Sequence, residues 1–132
     1  MNEISVGLVG ITGYAGMELA RLLCAHPSMR LTMACSRAEA GKRLGDYYPF
    51  LESLQGSDLV ISQFSAEEAA KRCQLVFLAV PAGTAMKMVP LLRSSNLKVI
   101  DFSADFRLQD RAVYEEWYKI THEAESYLSE AV

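Results

Sequence analysis

The spacing of apolar residues changes period repeatedly along the chain. Ile4 to Val9 is a short β-branched run with no polar alternation beyond Ser5, the pattern of a strand covered on both faces. From Tyr14 to Ala25 the period lengthens: Ala15, Leu19, Leu22 and Leu23 share one helical face, Glu18 and Arg21 stand elsewhere, and His26-Pro27 ends the helix. Leu31 to Cys35 reads as a second strand. Ser36 to Gly56, carrying Gly41, Gly45, Pro49 and Gly56, reads as an irregular excursion, and Asp58 to Ser62 as a short β-like run. Ser65-Ala66-Glu67-Glu68 fits a capping box opening a brief helix, Ala66 to Cys73. Leu75 to Val80 is the most hydrophobic strand and stops at Pro81. Ala85 to Arg93 is helical with Pro90 as a kink or restart, and Leu97 to Phe102 is the next strand. Beyond Arg107, Tyr114, Trp117 and Tyr118 recur at helical spacing.

Strands separated by helices cannot be joined by tight hairpins, so their neighbours run parallel with right-handed crossovers. The expected fold is α/β: a Rossmann-like, doubly wound, mostly parallel sheet with helices on both faces, built as one domain over residues 1–132.

Composition narrows the partners. Of 132 residues, 51% are hydrophobic and 22% charged, and the net charge of −3 comes without a basic run, which excludes a phosphate-neutralising nucleic-acid surface and favours a small molecule. Glu3 stands where a signal peptide would be positive, and no apolar stretch runs long enough to cross a bilayer, so a cytosolic, membrane-free protein is expected. Cys24, Cys35 and Cys73 lie in apolar surroundings without C-x-x-C spacing, which suggests three buried thiols rather than a disulfide framework or metal site.

The chemistry concentrates in "GITGYAG", Gly10 to Gly16, between the first strand and its helix. Such a turn aims free backbone N–H groups and the positive end of a helix dipole at one point, where an anion binds. Gly10 permits the tight turn, Gly13 lets a diphosphate approach the backbone, and Gly16 lets the helix pack closely on the sheet; Thr12 adds a hydroxyl, and Tyr14 and Ala15 open the helix. The spacing G-x-x-G-x-x-G departs by one residue from the commoner G-x-G-x-x-G, so a purely structural turn remains the competing reading. About twenty residues on, where an NAD-preferring domain offers an acid to the ribose, the chain has Ser36 and Arg37. A hydroxyl and a guanidinium suit a 2′-phosphate, pointing to NADP; a solvated arginine is the alternative.

Two further strand ends carry candidates. "LAVPAG", Leu78 to Gly83, enters a small-residue turn in which Pro81 could face the nicotinamide half of a coenzyme, or which is only a connection. At the end of the last strand Ser103 sits near Asp105 and Arg107; Asp105 suits a cap for the helix after it, and Arg107 beside Ser103 an anion clamp.

On "VGLVGITGYAGMELARLLCAHP", "SR" after the second strand, and above all "VIDFSADFRLQD" followed by "YEEWY", His122 and "EAV", the chain resembles the N-acetyl-γ-glutamyl-phosphate reductases, within the semialdehyde dehydrogenase superfamily. The resemblance runs from about Val6 to the last residue and implies the N-terminal NADP-binding portion of a homo-oligomeric enzyme of arginine biosynthesis. In that family a cysteine thiolate displaces phosphate from an acyl phosphate, the thioester takes hydride from NADPH, and a thiohemiacetal collapses to the semialdehyde. The family's catalytic Cys and His would fall beyond Val132, with the catalytic and dimerisation domain. The fragment is therefore expected to bind NADP(H) without turnover, with Arg107 on the substrate side and the missing domain or chain as its partner. Pro81-Ala82-Gly83 departs from the family's Pro-His-Gly, and Lys119 from its glycine. The competing readings are an aspartate-semialdehyde dehydrogenase fragment, or a stand-alone nucleotide- or partner-binding Rossmann module with no enzymatic activity. The module should expose an apolar face carrying Tyr114, Trp117 and Tyr118.

Overall fold

Because β1 (Ile4–Val9) is apolar on both faces it can take neighbours on both edges, and it does. In the computed structural model, which describes residues 3–103, 105–106, 111–118, 122 and 124–130, β1 pairs in parallel with β2 (Met29–Cys35) on one side and β3 (Leu75–Leu78) on the other. β4 (Lys98–Asp101) pairs in parallel with β3. The sheet order is β2-β1-β3-β4. β2 starts two residues earlier than expected, and β3 ends at Leu78, before Val80.

The crossovers are α1 (Gly13–Cys24), α3 (Ala66–Arg72) and α4 (Ala85–Ser94), with a short α2 (Leu44–Tyr47) inside the excursion and α5 (Arg111–Tyr118) after β4. On one sheet face Val6, Leu8, Leu31, Ala34 and Phe77 pack with Ala20 and Leu23 of α1 and with Leu44, Leu51 and Ile61. On the other, Val9, Met33, Cys35, Val76 and Leu78 pack with Ala69 of α3 and Ala85, Val89 and Leu92 of α4. These two layers give the expected doubly wound α/β architecture. The buried stripe of α1 is Gly16, Ala20, Leu23 and Cys24, whereas Leu22 is exposed: the helix is rotated about its axis relative to the predicted face, because Gly16 must lie inward.

Side-chain alternation along β2 switches at a bulge. Val6 pairs with Leu31 and Gly7 with Met33, leaving Thr32 extra, so Leu31 faces one layer and Met33 the other. The Thr32 hydroxyl donates to the Arg72 carbonyl at 2.7 Å and the Arg72 guanidinium donates to the Thr32 carbonyl at 2.6 Å, tying the bulge to the end of α3.

The outer edge of β2 is covered. Gln55 both accepts from and donates to the Leu31 backbone, and the excursion returns through two isolated bridges, Arg43 with Val60 and Cys35 with Ser62. The β-like run Asp58 to Ser62 is thus no strand of the sheet; it makes single bridges at Val60 and Ser62. Within the excursion Arg43 holds Asp46, Glu52 and Asp58 by ion pairs.

At α3 the Ser65 hydroxyl accepts from the Glu68 amide at 3.2 Å, which is the hydroxyl half of the box its sequence predicts. α4 runs unbroken through Pro90. Among the described residues no helix is long and apolar enough to cross a membrane.

Replacing Thr32 with Val keeps shape and removes the hydroxyl bond at the bulge. We expect a loss of about 1 kcal/mol of stability, read as a lower urea midpoint at unchanged slope.

Candidate functional site

The sheet order reverses between β1 and β3: β1 leads out to β2, β3 leads the opposite way to β4, and the loops leaving their carboxyl ends part to form a crevice. The glycine turn forms one wall. Gly10 has φ of 90°, and a Cβ there would stand 2.2 Å from the Ala79 carbonyl oxygen, so the turn lies directly on the loop that follows β3. Gly16 has its own obstruction: a Cβ would fall 2.1 Å from the Gly10 carbonyl oxygen, so the first turn of α1 rests on the loop backbone rather than on the sheet. Gly13, with φ of 85°, meets nothing within 4 Å of a built Cβ and faces open space.

Neither the cap nor the first turn of α1 supplies a side chain that offsets the dipole at its start. Thr12 is the N-cap residue, its side chain makes no capping hydrogen bond, and the first turn contains no acid. Thr12, Gly13, Tyr14 and Ala15 are exposed. The amides and dipole of a twelve-residue helix therefore point at open space in front of Gly13.

Backbone bonds bring the end of β2 to the same place. The Gly10 and Ile11 amides both donate to the Cys35 carbonyl, at 2.9 and 3.2 Å, so Ser36 and Arg37 follow immediately beside the turn. Ser36 is buried and its hydroxyl oxygen accepts from the Glu39 amide at 3.2 Å, leaving the hydroxyl proton for a further acceptor. Arg37 is exposed; Gln63 donates to its carbonyl at 2.9 Å, and its guanidinium makes no ion pair among the described residues.

Two aromatic contributions were not legible beforehand. Tyr48, in the excursion, donates its phenol to the Ile11 carbonyl and so fixes the peptide ahead of Thr12. Burial, then the neighbouring Tyr47, pushes this phenol above its ordinary pKa, which keeps it a donor. Tyr114 of α5 donates to Asp105 at 2.5 Å. The only prior signal for either was an aromatic pair inside a glycine-rich stretch and the helical spacing of Tyr114.

The other candidates divide. Pro81 is exposed in the β3–α4 loop. The Ser103 hydroxyl donates to Asp101 at 2.9 Å and accepts from the Asp105 amide at 3.2 Å, so it closes a local turn. Arg107 lies outside the described residues. Asp105 corrects its expectation: it caps the helix before it, accepting from Gly83 and Met86 amides at the start of α4. Tyr114 is likewise corrected, since it is fully buried against Met86 and Ala124 and cannot belong to an exposed apolar face. The exposed apolar residues near the last strand are Ile100 and Phe102.

A family-wide sequence profile described as the NAD binding domain of semialdehyde dehydrogenase matches residues 5–120. The chain belongs to this family. Among curated relatives it is similar to N-acetyl-gamma-glutamyl-phosphate reductase of Neisseria meningitidis serogroup C, 45% identical over 99% of this chain and 37% of the relative. The reductase of a Janthinobacterium strain is 50% identical over 97% of this chain and 36% of the relative. The chain thus spans little more than a third of the length of these relatives. Among solved structures it is similar in fold to aspartate semialdehyde dehydrogenase with NADP from Candida albicans, with TM-score 0.67, 22% identity, and coverage of 83% of this chain and 32% of that one.

For a semialdehyde dehydrogenase domain the three thiols matter by their inertness. All are buried and free, and desolvation raises each above the ordinary thiol range, Cys24 to about 11. Cys35 and Cys73 have their rise partly offset by Ser62 and Thr32 respectively. None is poised as a thiolate nucleophile.

Two outcomes follow. At about pH 8 the folded chain should react slowly with a thiol-specific disulfide reagent, and unfolding should release three fast thiols. Gly16→Ala should cost about 3 kcal/mol, since backbone cannot yield as a side chain would; thermal unfolding reads the loss.

Proposed function

We propose that the chain is the NADP(H)-binding portion of an N-acetyl-γ-glutamyl-phosphate reductase, acting in the cytoplasm with the remaining catalytic portion supplied by further chain or by a partner. The observation that carries this reading is the open amide group at α1, with Gly13 facing free space and Arg37 delivered beside it by the Cys35 carbonyl. Identities of 44–50% to reductases over nearly the whole chain support the same assignment.

In this reading the α1 amides, Thr12 and Gly13 bind the diphosphate, and Ser36 with Arg37 takes the ribose 2′-phosphate. A carboxylate at Arg37's place would accept from a ribose hydroxyl and repel the phosphate, so the guanidinium selects NADP over NAD. The coenzyme, when bound, supplies a hydride. Pro81 and Ser103 line the far side, and Arg107 serves the anionic substrate. The chain's own part is to bind and orient. Its thiols cannot attack an acyl phosphate, so the isolated chain should bind without turnover.

The stand-alone module is the second reading. With Tyr114 buried, the support for it is the exposed pair formed by Ile100 on the outer strand β4 and Phe102 just after it, the Trp117 side chain lying outside the described residues.

Thermal unfolding with NADP, NAD or neither separates the possibilities. NADP at one-hundredfold its dissociation constant should add about 2.7 kcal/mol of stability. Arg37→Asp should weaken NADP binding about tenfold or more and leave NAD little changed. Equal stabilisation by both coenzymes in both proteins would reject the 2′-phosphate assignment. Reduction of an acyl phosphate by the 132-residue chain at an enzyme-like rate would reject the division of labour.

A further inference from the structure

The carboxyl group of Asp105 is fully buried, and the donors around it come from two directions. One oxygen accepts from the Gly83 amide at 2.9 Å and from the Tyr114 phenol at 2.5 Å. The other accepts from the Met86 amide at 2.8 Å and, more weakly, from Gly83 at 3.1 Å. Among the described residues no cation partners it; the Gly83 and Met86 amides and one phenol do. The residue is held in turn from behind. His122 is buried, accepts at Nδ1 from the Ala124 amide at 3.1 Å, and so carries its proton on Nε2, which donates to the Asp105 carbonyl at 2.5 Å. Tyr114 and His122 also meet edge to face at 4.9 Å between ring centroids.

What Asp105 grips is one end of the arch Ala79–Thr84. The other end is fixed to the glycine turn: the Ala79 amide donates to the Val9 carbonyl at 2.9 Å, and the Ala79 carbonyl fills the place a Gly10 side chain would need. Between these anchors Pro81 and Ala82 are exposed, and Gly83 takes φ of 90°. Thr84 supplies no capping bond of its own to α4, so the cap is Asp105. A residue 22 positions downstream of Gly83 therefore sets where the arch stands over the crevice.

We propose that Asp105 is a positioning residue of the coenzyme site, one that clamps the Ala79–Thr84 arch through Gly83 and Met86 and thereby shapes the half of the crevice opposite the α1 amides. This rests on the coenzyme reading above. It deepens that reading by dividing the site into two halves that meet at Ala79: an adenosine half built by the β1–α1 turn and Arg37, and a nicotinamide half whose far wall depends on the segment after β4. Tyr114 takes part as the second donor; burial, then Asp105 itself, raises its phenol well above the ordinary range and keeps its proton in place.

The test compares two probes on the full 132-residue chain: NADP, which spans both halves, and adenosine 2′,5′-bisphosphate, which fills only the first. The wild-type chain should bind NADP more tightly. Asp105→Ala should weaken NADP about tenfold, bringing it near the half-ligand, and leave adenosine 2′,5′-bisphosphate unchanged. Should far-UV circular dichroism show that variant unfolded, Tyr114→Phe, which leaves both amide bonds in place, is judged by the same criterion with a smaller loss. Equal weakening of both probes, no weakening of either, or a wild-type chain that binds both alike overturns the clamp while leaving the adenosine half standing. A wild-type chain that binds neither probe removes the coenzyme reading and the clamp with it.

Discussion

Backbone lies on backbone at the carboxyl end of β1, with no room for a side chain between. The first turn of α1 sits against the Gly10 carbonyl, and Gly10 itself sits against the Ala79 carbonyl. Two contacts of this kind, each closed to any Cβ, lock the glycine turn and the head of its helix to a loop distant in sequence, the one after β3. Dense packing of this sort leaves few degrees of freedom, so the direction of the α1 amides is settled by the fold rather than by a ligand.

Function follows from what that packing leaves unsatisfied. Elsewhere the protein finds partners for its polar groups: Ser65 caps α3, Asp105 caps α4, and Gln55 pairs the outer edge of β2. At α1 the N-cap side chain makes no such bond, and the turn ahead of it is braced from the excursion by Tyr48. A helix start left open while its neighbours are closed is suited to an external anion. The Cys35 carbonyl ties the end of β2 to the same turn, so the backbone of Ser36 and Arg37 follows directly from it.

The parts of this arrangement that depend on local patterning were legible in the sequence. Apolar runs located β1 and β3, the Ser65 box located α3, and the glycine spacing anticipated a tight turn at Gly10 and a close approach at Gly16, although that approach is to the loop backbone and not to the sheet. What escaped depends on contacts between distant segments. The bulge at Thr32 arises from pairing with β1, and no feature of Leu31 to Cys35 alone announces it. Asp58 to Ser62 is a short β-like run yet meets only single bridges, because the excursion crosses the edge of β2 rather than joining its ladder. Asp105 looked forward in sequence to a helix and in space serves the one behind it. Tyr114 had the periodicity of a surface stripe and is buried, since it packs against Met86 of α4 and Ala124.

The central claim is that the amides opening α1, with Arg37, form a seat for a phosphorylated dinucleotide. Titrating the isotopically labelled chain with NADP while following backbone amide resonances tests it most directly. The account predicts saturable shifts concentrated at Gly13, Tyr14, Ala15 and Arg37. Resonances of that turn left unmoved at saturating coenzyme would contradict it, and the glycine spacing would then be a feature of packing alone.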